Sequence, residues 1–145
     1  MSNPVRGRSA WSTALGRDPR LLRAAPAIVY ALAIFIGSSV PGSEIPPLGF
    51  SLSDKLIHFI EFGILGILLY RAFSRMSRPY LLTVITGALY AASDEFHQLF
   101  VPGRQCDFWD FAADVCGILL VGGIQVLFVR RRAGGKGHES MNAGG

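Results

Sequence analysis

The sequence predicts an all-α membrane protein, a four-transmembrane-helix bundle with both termini in the cytoplasm. Three observations carry that prediction. Half of the 145 residues are hydrophobic and only 17% are charged, against about a quarter in an ordinary soluble domain; mean hydropathy is +0.38. The apolar residues gather into four runs of a length suited to crossing about 30 Å of hydrocarbon. The basic residues flank these runs, so the net charge of +4 and pI near 9.5 read as membrane flanks. Nucleic-acid binding is not expected, because no basic and aromatic platform accompanies the charge.

Residues 1–23 are polar and basic, with Arg6, Arg8, Arg17, Arg20 and Arg23, and are expected to form a disordered or interfacial arm. They resemble the charged region of a signal peptide, but retention is favoured because the downstream helices need a start. The transmembrane domain is expected over 24–129. Its first helix covers about 24–40, with Pro26 in the first turn and Pro41-Gly42 as the stop. Residues 43–53 read as a short loop whose Ile45, Leu48 and Phe50 dip into the interface. The second helix covers about 54–73, with Ser53 as N-cap and Gly63 and Gly66 admitting a close neighbour. Arg71, Arg75 and Arg78 make a basic loop, and Pro79 opens the third helix, about 79–100. The fourth covers about 107–129. Arg130, Arg131, Arg132 and Lys136 then lead a Gly-rich tail over 130–145, expected to be disordered. Cys106 and Cys116 would lie about 15 Å apart along one helix, too far for a disulfide.

Basic clusters before the first run, between the second and third, and after the fourth place both termini and the 71–78 loop inside. The acids then fall at one depth. Asp54, His58 and Glu61 share a face of the second helix at i, i+4 and i+7. Asp107, Asp110, Asp114 and Gly117 share a face of the fourth. On the third, Thr83, Thr86, Tyr90 and Asp94 run in a stripe toward His97 or Gln98. Glu61 lies about 10 Å below Asp54, Asp114 about 10 Å below Asp107, and Asp94 about 8 Å below Leu99. One outer layer therefore holds Asp54, Glu61, Asp94, Glu95, Asp107, Asp110 and Asp114 against Lys55 and Arg104, with His58 and His97 able to add charge. Such groups are costly at membrane depth and need partners or a function. Some are protonated, a bound cation balances them, or several face water as helix caps.

Each residue has a functional and a plain structural reading. Asp54 and Asp107 at helix N-termini serve as caps equally well, and Asp110 completes a capping pair. His58 with Asp54 or Glu61 makes a metal pair, a proton relay or a hydrogen-bonded bridge between helices. Asp94 and Glu95 point about 100° apart; Asp94 is favoured as the inner group and Glu95 as a partner of Arg104 or Lys55. Arg104, after the Pro102-Gly103 turn, folds back onto the carboxylates or receives a phosphate or carboxylate. Asp54, His58, Asp94, Glu95 and Arg104 are the candidate catalytic set. His58, Glu61, Asp94 and Asp114 are the candidate ligands of a divalent metal, for metal-assisted hydrolysis or group transfer at the outer leaflet.

The segments Asp54-Lys55-x-x-His58, Asp94-Glu95-x-x-Gln98 and Pro102-Gly103-Arg104-x-x-Asp107-x-x-Asp110-x-x-Ala113, with Gly117, resemble the VanZ-like family of small bacterial membrane proteins. The resemblance covers about Ile36 to Val129 and departs at Asp114, where the family pattern often has Asn. It implies a multi-pass protein of the bacterial inner membrane acting at the cell envelope, with a link to glycopeptide tolerance. Gln98, Arg104, Asp107 and Asp110 are the candidate ligand-binding residues of an acidic pocket near the outer leaflet. The expected partners are the lipid bilayer and a lipid-linked envelope precursor. A proton- or cation-coupled transporter and a non-catalytic membrane scaffold are the alternatives. Oligomeric state is left open.

Overall fold

The computed structural model describes residues 19–44 and 51–142, with the side chains of 19–43, 54–129 and 131. It is all-helical, with no strand among the described residues: α1 Pro19–Ser38, a short 3-10 turn Gly42–Glu44, α2 Ser51–Phe73, α3 Pro79–Gln98 and α4 Phe108–Asn142. The loop residues 45–50, and with them the expected interfacial Ile45, Leu48 and Phe50, lie outside the described residues.

Among the described residues, three stretches are long and apolar enough to cross a membrane: Pro19–Ser38, Asp54–Phe73 and Phe108–Val129. α3 has the same 20-residue length as α1 but buries Thr83, Asp94, Glu95 and Gln98. These polar side chains are turned onto the other helices, and they leave α3 less apolar than the three candidate spans.

The boundaries correct the sequence reading in four places. α1 starts at Pro19, so the last residues of the expected arm are helical; Pro suits a first helical position, and Leu21 and Leu22 continue the apolar run. Pro26 therefore lies inside the helix and leaves the Leu22 carbonyl without its helical donor. α2 starts at Ser51, so Ser53 lies within it and cannot be its N-cap. α3 ends at Gln98, two residues short of the expected Phe100, in turns that lead to Pro102. α4 continues past Val129 to Asn142; Arg130 to Ala133 favour helix, but Gly134, Gly135 and Gly137 do not, so local propensity explains only the first turn of the extension.

The centre of the bundle is the α2–α4 seam. A Cβ on Gly117 would lie 2.2 Å from the Phe59 carbonyl oxygen, and one on Gly66 would lie 3.3 Å from Ile118 Cα. Here the two backbones touch, which only residues without side chains permit. α3 packs against both α2 and α4, while α1 packs against α2 and more lightly against α3; among the described residues it does not reach α4. Phe62, Leu65, Ala91 and Ile118 form the core, joined by Ala27 and Ile34 of α1. Tyr90 fastens α1 by donating its hydroxyl hydrogen to the Ala31 carbonyl.

Successive helices alternate in direction, so the bundle has two chemically distinct ends. Ser38, Asp54, Gln98 and Arg104 meet at one. Arg20, Arg23 and Arg75 surround a cavity at the other. At the acidic end the two loops clasp: the Gly42 amide donates to Pro102 O at 3.0 Å. Gly103 holds φ +74°, a conformation Gly adopts without strain.

Candidate functional site

The acidic end is built from all four helices and the loop before α4. A cavity of about 160 Å³ opens there, lined by Ser38 on α1, Asp54, His58 and Glu61 on α2, Gln98 on α3 and Arg104 on the loop. The spacing of Asp54, His58 and Glu61 puts the three on one face of α2, and the packing of α1 turns that face into a wall. Arg104 Nε donates to the Val40 carbonyl at 3.4 Å, which holds its guanidinium at the mouth.

Asp94 stands beside this cavity and is 2% exposed. Its Oδ2 accepts from Ser38 Oγ at 2.8 Å and from Gln98 Nε2 at 3.2 Å. Oδ1 is buried without a hydrogen-bond partner. The expected pairing of Asp94 with Gln98 on one face is therefore present, and Ser38 is an addition that sequence reading missed. The signal was there: a Ser pair closes an otherwise apolar helix at the depth of the acids. Its neighbour Ser39 lies 3.0 Å from His97 Nε2, and the His97 ring stacks on Phe35 at 4.3 Å. His97 thus packs against α1.

Glu95 turns the other way, toward α4, as the 100° step predicts. It does not pair with Arg104 or Lys55. Its Oε2 accepts the Asp107 backbone N–H at 2.9 Å, because the tight 99–107 loop brings the start of α4 back over the end of α3. Lys55 instead bridges Asp107 at 2.7 Å and Asp110 at 2.8 Å. Asp107 also caps α4, its Oδ1 accepting the Trp109 N–H at 2.8 Å. The Lys55 ammonium and that N–H hold the Asp107 carboxyl below its usual range. Cys106, in the same loop, has its thiol raised by desolvation and by the Glu95 carboxylate, so it is a poor thiolate nucleophile. It and Cys116 are unpaired.

His58 joins the two sides of the site. It borders the cavity, and its Nδ1 lies 3.1 Å from Asp114 Oδ1. One ligand atom each from His58, Glu95 and Asp114 lies within 4.8 Å of the others, and the same holds for Asp54, His58 and Asp110. The grouping expected from sequence was His58, Glu61, Asp94 and Asp114. The structure keeps His58 and Asp114 together, brings Glu95 to them, and leaves Glu61 and Asp94 on the cavity side.

A profile described as VanZ/LLP1 matches residues 20–129, a span that contains every site residue named above. The uncharacterized protein C11E3.10 of Schizosaccharomyces pombe is 30% identical over 106 residues, which cover 70% of this chain and 65% of that protein. The likeness is therefore not restricted to bacterial proteins, and the chain spans just under two thirds of that relative. No solved structure matches the chain.

Proposed function

The chain belongs to the VanZ/LLP1 family, and from that membership we propose that it is a four-span membrane protein whose outer pocket binds a small polar group of an extracytoplasmic or lipid-linked envelope ligand. The gathering of Arg20, Arg23 and Arg75 at one end supports a cytoplasmic basic end under the positive-inside rule. α3 begins beside the end of α2 at that basic end and finishes beside the start of α4 at the acidic end. If its neighbours cross the bilayer, it crosses too, despite its buried polar groups.

The observation that carries the reading is the 160 Å³ cavity with Asp54, His58, Glu61, Gln98, Ser38 and Arg104 on its wall. A cavity of this size suits a small polar head group and not a large glycan. The carboxylates and the Gln98 and Ser38 oxygens accept hydrogen bonds from hydroxyl or amine groups, and Arg104 offers a fork to one phosphate or carboxylate. An apolar crevice of about 260 Å³, lined by Ala27, Ala31, Leu65, Leu69 and Tyr90, continues along the same α1–α2 seam. A polar pocket above an apolar crevice fits a head group with a chain, and the apolar lining does not favour an ion path. A link to glycopeptide tolerance stays part of this proposal as one consequence of handling an envelope ligand.

Native mass spectrometry of the detergent-purified protein with phosphatidylglycerol tests the reading. Retained lipid should fall at least tenfold in Arg104→Ala, and inorganic phosphate should compete. Equal retention by the wild type and Arg104→Ala would sink it.

A further inference from the structure

We propose that His58, Glu95 and Asp114 form a divalent-cation site on the α4 side of the pocket wall. The inference goes beyond the ligand reading and does not depend on it. The three residues come from three different helices, and the bundle brings one ligand atom of each within 4.8 Å of the others. Neighbouring ligands of a tetrahedral ion with bonds of about 2.1 Å lie about 3.4 Å apart, so the three side chains draw together around the ion and a further carboxylate or water fills the remaining position.

Burial supplies the second, independent observation. Asp114 is 0% exposed and Glu95 4%. Each carboxylate has one oxygen engaged, Asp114 Oδ1 with His58 and Glu95 Oε2 with the Asp107 amide. Each has its other oxygen, Asp114 Oδ2 and Glu95 Oε1, buried without a hydrogen-bond partner. A buried carboxylate oxygen left unpaired is costly, and two around one histidine mark a place built to receive positive charge. Neither cation of this layer pairs with these oxygens: Lys55 bridges Asp107 and Asp110, and Arg104 lines the cavity with its Nε toward the Val40 carbonyl. Asp94 Oδ1 is unpartnered too, but Asp94 is held through Oδ2 by Ser38 and Gln98 and belongs to neither ligand group.

The donor set selects the ion class. One imidazole nitrogen with carboxylate oxygens suits Zn²⁺ or Mn²⁺ better than Mg²⁺ or Ca²⁺, which prefer all-oxygen shells. Asp54 and Asp110 flank His58 in the adjoining group and can add to the shell.

The test uses full-length protein in detergent, stripped with chelator and titrated calorimetrically with Zn²⁺ and, separately, Mn²⁺. The wild type should take up one equivalent of at least one ion and melt at higher temperature when loaded. Glu95→Gln and Asp114→Asn keep the side-chain shape and should each weaken binding at least tenfold, with melting of the stripped protein unchanged or raised. Asp94→Asn should bind like the wild type. Should one variant fail to fold, the other still decides. No saturable uptake by the wild type overturns the site, as does uptake that survives both substitutions or is lost equally in Asp94→Asn. Phosphatidylglycerol retention, measured on the same samples, keeps failure of the cation site distinct from failure of the pocket.

Discussion

Along the α2–α4 seam two backbones touch; along the α1 flank the helices are held apart by cavities. The seam places Gly117 against Phe59 and Gly66 against Ile118, and it carries the buried His58–Asp114 contact. The flank holds the polar cavity and the apolar crevice, and α1 is fastened by point contacts from Asp94 to Ser38 and from Tyr90 to Ala31. The difference separates a scaffold from a wall. A tightly packed pair of helices can hold carboxylates where the bilayer would otherwise expel them, because their partners cannot drift. A lightly fastened helix can yield to admit a ligand without loosening those carboxylates.

The largest expected effect compares two glycines. Gly117→Ala puts a methyl 2.2 Å from the Phe59 carbonyl oxygen and 3.0 Å from Gly63 N, and backbone cannot step aside as a side chain does. It should cost at least about 2 kcal/mol. Gly37→Ala on α1 meets nothing within 4 Å and should be neutral or gain up to about 1 kcal/mol from helix propensity. Thermal unfolding in detergent checks both. Equal losses at the two positions would erase the contrast between seam and flank.

A smaller effect sharpens the role of α1. Ser38→Ala removes a donor from Asp94 Oδ2, whose other partner is Gln98. Loss of a hydrogen bond to a buried carboxylate costs about 1.5 kcal/mol. Amide hydrogen exchange should accelerate along α1 and leave α2 and α4 nearly unchanged. Acceleration spread evenly over the bundle would mean that α1 is integral to the scaffold.

Most of the helix plan is legible in the sequence, because apolar run length and Pro or Gly punctuation report local physics. Pro79 at the start of α3 and Asp107 capping α4 are of this kind. The shared depth of the acids is legible too, since rise per residue and alternating direction fix it. What helix periodicity cannot supply is rotation between helices. Asp94 and Glu95 were separable by 100°, but which of them meets His58 depends on where α4 sits, and the short 99–107 loop decides that. The position of Lys55 depends on the same rotation, and its acidic partners are Asp107 at the cap of α4 and Asp110 in its first turn. Ser38 carries no periodic signal, and only the Ser38-Ser39 pair closing an apolar helix at the depth of the acids points to it.

The mildest test concerns the rim, where Asp107 is partly exposed and solvent screens its pair with Lys55. Lys55 and the Trp109 N–H lower the folded carboxyl pKa, so the folded state binds a proton less readily than the unfolded chain. The resulting stabilisation is complete above the unfolded value of about 3.9 and is lost as pH falls below it through the folded value. In Asp107→Asn this part of the acid response disappears. The fall in melting temperature between about pH 5 and about pH 3 should therefore be slightly shallower than in the wild type, while melting at neutral pH is slightly lower. A variant whose acid response matched the wild type would show that the Lys55 bridge contributes nothing to folding. The seam, with its touching backbones, would then hold the acidic end together without the rim.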